Sequence, residues 1–405
     1  MRTVVCTDIR AAVTLDSTLR TQELNLAGLM GGARFNLGYG DGSSIRTSPN
    51  DVPSSPLRWT NLDTIVNALV ASRSVCCLLI GTDVPNWTAW KTAVGGSWGN
   101  EINRPPPEAW PQWALDIQEV VWRIRAAYAS AGLDPDWYAR FLISNEINKD
   151  GAGGPWLTAG PFTYASPFSD LEPGEIDGAE AGLSSWSGGF GRNVGAQLAY
   201  LVNNVNFGGS IVMGTSHETQ TGTDFTNEKL SLYQIGESAA ACDNLCLNHY
   251  VQWSWGYTLH PDKFASEYYD SGLTTRDELV AAYWTNAAVD VSGKPCSWTE
   301  CGATMDQLLF GTQALTKHGH YARGDYLRAF LELAVAKGDF DLVSLYVSRE
   351  RSVVADGPLY GLMKSDGTYT GAYRAIAQMC GQTATTPPSG SYATASGETY
   401  SIPEV

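Results

Sequence analysis

Eight times along the chain a short run rich in apolar and β-branched residues gives way to a longer run with helical spacing, and this succession limits the fold more than any other feature. The β-rich runs are Thr3 to Ile9, Ala33 to Leu37, Val75 to Ile80, Phe141 to Glu146, Ser210 to Gly214, Leu245 to Tyr250, Cys296 to Thr299 with Glu300 at its end, and Asp341 to Val347. Helical spacing is predicted for Asp16 to Met30, Leu57 to Ser72, Gln112 to Ala131, Val194 to Asn204, Glu228 to Ala241, Thr275 to Val289, Tyr326 to Lys337 and Gly371 to Met379. The third strand reads VCCLLI, without alternation, as a parallel strand buried on both faces does. Eight such units predict α/β architecture with the sheet closed into a (β/α)8 TIM barrel over residues 1–382. A doubly wound open sheet is the runner-up. It would more often carry a glycine-rich phosphate loop after the first strand, and Thr7-Asp8-Ile9-Arg10 is no G-x-G-x-x-G. Residues 383–405 are rich in Thr, Ser, Pro and Gly without periodicity and are expected to be a tail or linker.

Stretches rich in Gly, Pro and aromatics follow strand three (Thr82 to Trp110) and strand four (Lys149 to Ser187), and a further insertion follows strand six. All of them fall on the C-terminal face, where barrel active sites are built. The net charge of −16, with no Lys/Arg-rich run, disfavours a nucleic-acid backbone or an anionic membrane as partner. The 14 Trp and 19 Tyr exceed what packing alone requires; sugar-stacking rings, an aromatic-rich core and a partner interface all remain open at this point. Eight cysteines form no C-x-x-C pair, so zinc has little support, and no metal or cofactor is expected. Buried thiols are the plainer reading of those cysteines, with a few disulfides as the alternative. MRTVVCTDIRAAV lacks the apolar core of a signal peptide and no run approaches the length of a membrane span. A cytoplasmic, virion-associated or signal-processed chain would each look this way, and the oligomeric state is open.

The chemistry is concentrated at two strand ends. FLISNEINKDGAGG runs from an apolar strand onto Asn145-Glu146 and then into a glycine-rich loop, and KPCSWTECG stops a second apolar run on Glu300. One acid at a strand end is usually a solvated rim residue. Two acids on strands four and seven lie across a barrel mouth from each other, which is the minimum equipment for cleaving a glycosidic bond. A separation of roughly 5 to 5.5 Å would imply retention of configuration, and roughly 6.5 to 9.5 Å inversion.

These residues resemble the clan A retaining glycoside hydrolases, a (β/α)8 group that includes cellulase-like, mannanase-like and xylosidase-like families. The resemblance implies that Glu146, preceded by Asn145, is the acid/base and Glu300 the nucleophile. Arg34 in ARFN is similar to the strand-two arginine that steadies the nucleophile, and Asn248-His249-Tyr250 is similar to the strand-six segment whose tyrosine bonds it. Asn145 would hydrogen-bond the sugar 2-OH. Trp156, Trp253, Trp255 and Trp298, on or just after the relevant strand ends, would stack on sugar rings, and His217 beside Glu218 would be a subsite residue or merely loop. At the end of strand eight, where the clan places a Trp, LVSLYVSRE offers Tyr346. The expected function is therefore a retaining glycoside hydrolase acting on a β-linked poly- or oligosaccharide. The alternative is a non-catalytic carbohydrate-binding or structural barrel, such as a virus-particle or surface-assembly component. Possession of both carboxylates favours the enzyme.

Overall fold

The computed structural model describes residues 3–9, 17–37, 45, 54–80, 110–143, 200–218, 242–250, 294–302, 327, 331, 335, 338, 340–349, 360–369, 371–380, 391–393 and 399–401. Eight parallel strands close into one barrel in chain order, β1 (Val4–Asp8), β2 (Gly32–Leu37), β3 (Val75–Ile80), β4 (Ala139–Ile143), β5 (Ile211–Glu218), β6 (Asn244–Tyr250), β7 (Cys296–Gly302) and β8 (Phe340–Leu345). β8 pairs back onto β1 from Val4 opposite Leu342 to Thr7 opposite Leu345. The helices α1 (Ser17–Met30), α2 (Thr60–Ala71), α3 (Trp110–Ser130) and α5 (Gly371–Met379) lie within three residues of their predicted bounds. A one-turn helix, α4 (Pro135–Tyr138), was not foreseen; the Asp134 carboxylate caps it by accepting from the Asp136 amide at 3.0 Å. The expected helices at 228–241 and 275–289 and both long insertions lie outside the described residues.

Strand alternation divides the apolar residues into two shells. Residues such as Phe35, Leu78, Phe141 and Trp298 join the helices in the outer core, whereas Val4, Cys6, Cys77, Leu79, Leu142, Met213, Cys246 and Leu342 fill the barrel. The apolar VCCLLI supplies both shells at once. Gly32 has no room for a side chain: a Cβ there would stand 2.6 Å from Cys6 Sγ and 2.8 Å from Val75 O. All eight cysteines are free thiols, seven of them buried. Burial pushes the Cys77 and Cys242 thiols up to about 11, so they pack as small hydrophobes.

Three strands carry an extra residue against a neighbour, β5 between Met213 and Ser216, β7 and β8, and those of β7 and β8 bring an acid indoors. On β8, Cys296 pairs Phe340 while Ser297 pairs Leu342, so Asp341 is inserted into the ladder. Its carboxylate meets Arg140 of β4 and accepts from Asn244 Nδ2 at 3.1 Å, forming a buried polar floor near the N-terminal ends of the strands. The second insertion, on β7, belongs to the site. The tail is less featureless than expected: β9 (Ser391–Ala393) and β10 (Thr399–Ser401) pair antiparallel as a sheet of their own.

Candidate active site

At the C-terminal end of the barrel the register of β7 jumps against both neighbours. Leu247 pairs Trp298 and Asn248 pairs Glu300, while on the other side Trp298 pairs Val343 and Cys301 pairs Leu345. One residue is therefore extra between Trp298 and Cys301. Were the same sequence paired as a regular strand, Glu300 would follow Trp298 and Cys296 to the helix side. With the extra residue, Thr299 bonds Asn248 Oδ1 at 2.9 Å, Glu300 reaches Arg34, and Cys301 takes the outer position instead. The bulge re-aims the one acid on this strand.

Glu300 Oε1 lies 2.7 Å from Arg34 Nη1. The same nitrogen donates to Asp8 Oδ2 at the end of β1, and all three side chains are 1–2% exposed. Asp8 and Arg34 are ladder partners, and the Ile9 amide bonds Arg34 O at 2.9 Å, so strand pairing itself sets this arrangement. From the seam side the Ser348 amide donates to Asp8 O at 2.9 Å. Arg349 then donates through Nε to Glu23 of α1 at 3.0 Å and through Nη1 to Ser365 O at 2.7 Å. Burial holds the Glu23 carboxyl up at about 7, against the opposing pull of Arg349.

Of the expected site residues, Arg34, Asn248 and Glu300 converge as described, with Asn248 fully buried. His217, His249 and Tyr250 occupy the ends of β5 and β6. Tyr346 follows β8, half-buried, with its ring edge-on to Tyr360 at 5.4 Å. Asn145, Glu146, Trp156, Trp253 and Trp255 lie outside the described residues. Trp298 requires a correction. It is 1% exposed, sits in the outer core and packs on Phe340 at 4.9 Å between ring centroids, so it offers no face to a sugar. Its parity on β7 before the bulge sends it toward the helices. Asp8 was overlooked, although the signal was the same as for Glu300: an acid ending a buried strand. Among the described residues no group of three His, Cys, Asp or Glu side chains could hold a metal ion.

Solved structures of several glycoside hydrolases share this closed parallel barrel. GH5_18 from Bifidobacterium longum subsp. longum, in complex with Manβ1-4GlcNAc, superposes with a TM-score of 0.56 at 12% identity, covering 95% of this chain and 79% of that one. GH5_18 from Streptomyces cattleya with GlcNAc gives 0.53 at 14% identity, covering 96% and 82%. Xylanase 10B from Thermotoga petrophila with xylobiose gives 0.52 at 8% identity, covering 93% of each chain. No protein-family model and no curated protein sequence matches. What the chain shares with these enzymes is the fold, a closed (β/α)8 barrel.

Proposed function

We propose that the chain is a retaining glycoside hydrolase that cleaves a β-linked oligo- or polysaccharide. The observation that carries this reading is Glu300, turned into the barrel mouth by a bulge and seated on Arg34 at 2.7 Å. A buried carboxylate without such a cation would favour its neutral form; beside a guanidinium the anion is favoured, and the anion is the nucleophile. Glu300 would attack the anomeric carbon while Glu146 gives its proton to the departing glycosidic oxygen, leaving a glycosyl ester on Glu300. Glu146, now ionised, would take a proton from water, whose oxygen displaces Glu300 and releases the sugar. Asn248, fixed by Thr299, and Tyr250 would line the floor beside the nucleophile. The disaccharides held by the fold's relatives, Manβ1-4GlcNAc and xylobiose, make β-mannosides and β-xylosides the first substrates to try.

The test is hydrolysis of aryl β-glycosides and natural polysaccharides by wild type, Glu300→Ala and Glu146→Ala. Glu300→Ala should lose several orders of magnitude in rate. Glu146→Ala should retain the first step on activated aryl substrates and be rescued by azide. Activity that survives in Glu300→Ala overturns the assignment of the nucleophile, and a wild type inert on every glycan overturns the enzyme in favour of a binding or structural barrel.

A further inference from the structure

Two carboxylates meet on one nitrogen. Asp8 Oδ2 and Glu300 Oε1 both lie on Nη1 of Arg34, in a setting closed to solvent. Like charges gathered on a single donor atom cannot ionise independently, because each anion opposes the other while both compete for the same cation. Other titratable groups face this pair. Glu23 of α1 and Cys77 of β3 both interact electrostatically with Asp8, and Cys77 also with Arg34. Cys301 of β7 interacts with Glu300, and Arg349 stands beyond Glu23 at 3.0 Å. The cysteines are held neutral by burial, as their raised values show, and Arg349 is engaged by Glu23 and Ser365.

We propose that Asp8 is a positioning residue for Glu300: by sharing Arg34 it keeps Glu300 a stronger base and better nucleophile than sole possession of the guanidinium would leave it, and so sets the acidic limit of the enzyme. This rests on Glu300 being the nucleophile. A carboxylate bound exclusively by a cation is easily ionised but weakly basic, and nucleophilic power falls with basicity. A second anion on the same nitrogen returns part of that basicity. The placement is built by strand pairing alone, since Asp8 and Arg34 are register partners on β1 and β2.

The experiment is the pH dependence of kcat/KM for wild type and Asp8→Asn. Asparagine still accepts a hydrogen bond from Arg34 and removes only the charge. The acidic limb should move to lower pH by about one unit, with a fall in the plateau kcat/KM. A limb that stays in place or moves upward overturns the proposal, whereas a merely structural Asp8 would lower stability and leave the limb alone. A second readout separates this idea from the hydrolase reading. Carboxyl carbon-13 signals of Asp8 and Glu300, assigned with Asp8→Asn and Glu300→Gln, should titrate in the wild type as two-step curves that share both midpoints. Shared midpoints without any glycosidase activity would leave the coupling standing and remove the enzymatic role. Independent single-site curves overturn the coupling whatever the activity, and the wild-type measurement serves even if Asp8→Asn does not fold, with the Asp8 carboxyl then assigned by through-bond correlation to its own backbone amide.

Discussion

Arg34 and Trp298 show what one side chain's parity decides. Arg34 alternates inward with Gly32, while Ala33 and Phe35 join the helices, so its guanidinium reaches Glu300 across the barrel end. Trp298 has the outward parity, and its ring is part of the packing against Phe340. Trp298→Ala should therefore destabilise the fold by about 3–5 kcal/mol, measured by urea unfolding, and Trp298→Phe should leave KM for any glycoside unchanged. A sugar platform would do the opposite, raising KM with stability intact. The arginine was legible in ARFN through its resemblance to the strand-two arginine of clan A enzymes, and its burial is tolerable because the guanidinium meets carboxylates there. The tryptophan was misread because nearness in sequence to Glu300 says nothing about which way a ring faces. Asp8 was legible by the rule that singled out Glu300, since it too ends a buried strand.

On β7 and β8 the ladder is irregular where an acid turns indoors. Strand order, the boundaries of α1 and α5 and the double-faced burial of β3 follow from apolar spacing. The insertions on β7 and β8 do not, because one extra residue leaves the apolar pattern almost unaltered and becomes visible only against a neighbouring strand. Deleting Thr299 removes the extra residue and leaves Glu300 opposite Asn248 with the same inward parity, so the chain should keep barrel-like far-ultraviolet dichroism and lose rate only through the missing Thr299 bond to Asn248; complete loss of hydrolysis would show that the doubled position itself aims the acid. At the opposite end, Asp341→Ala strands Arg140 in the barrel floor and should destabilise by about 3–5 kcal/mol, read from denaturant midpoints. Pairing Asp341→Leu with Arg140→Met should recover a large part of that loss, since an apolar pair needs no desolvation of charge.

Across the whole molecule the closed eight-stranded sheet was the part the sequence defined best, because parallel strands buried on both faces admit few other partners. Stability should carry the signature of Glu23. Burial holds its carboxyl up at about 7 in the folded chain, above the 4.5 of a free glutamate. The folded state thus holds a proton that the unfolded state has released, and stability falls as pH rises from about 4.5 to 7. The full penalty above that window is of order 3 kcal/mol. Urea unfolding from pH 4 to 8 should show this decline in wild type and a flatter profile in Glu23→Gln; parallel profiles would mean that Arg349 keeps Glu23 ionised throughout.

The seam between β8 and β1 has a consequence for how the protein is made. Thr3, near the start of the chain, bonds Phe340 O at 2.7 Å, and the Ser348 amide caps the carbonyl of Asp8. Asp8 and Arg34 leave the ribosome well ahead of Glu300, which follows Asp8 by 292 residues, and of Ser348, which follows it by 340. Contacts so distant in sequence form late, after the entropy of closing a very long loop has been met. A growing chain can thus build much of its wall before it owns any site, and the acid that would cut sugar is assembled only when the last barrel strand arrives.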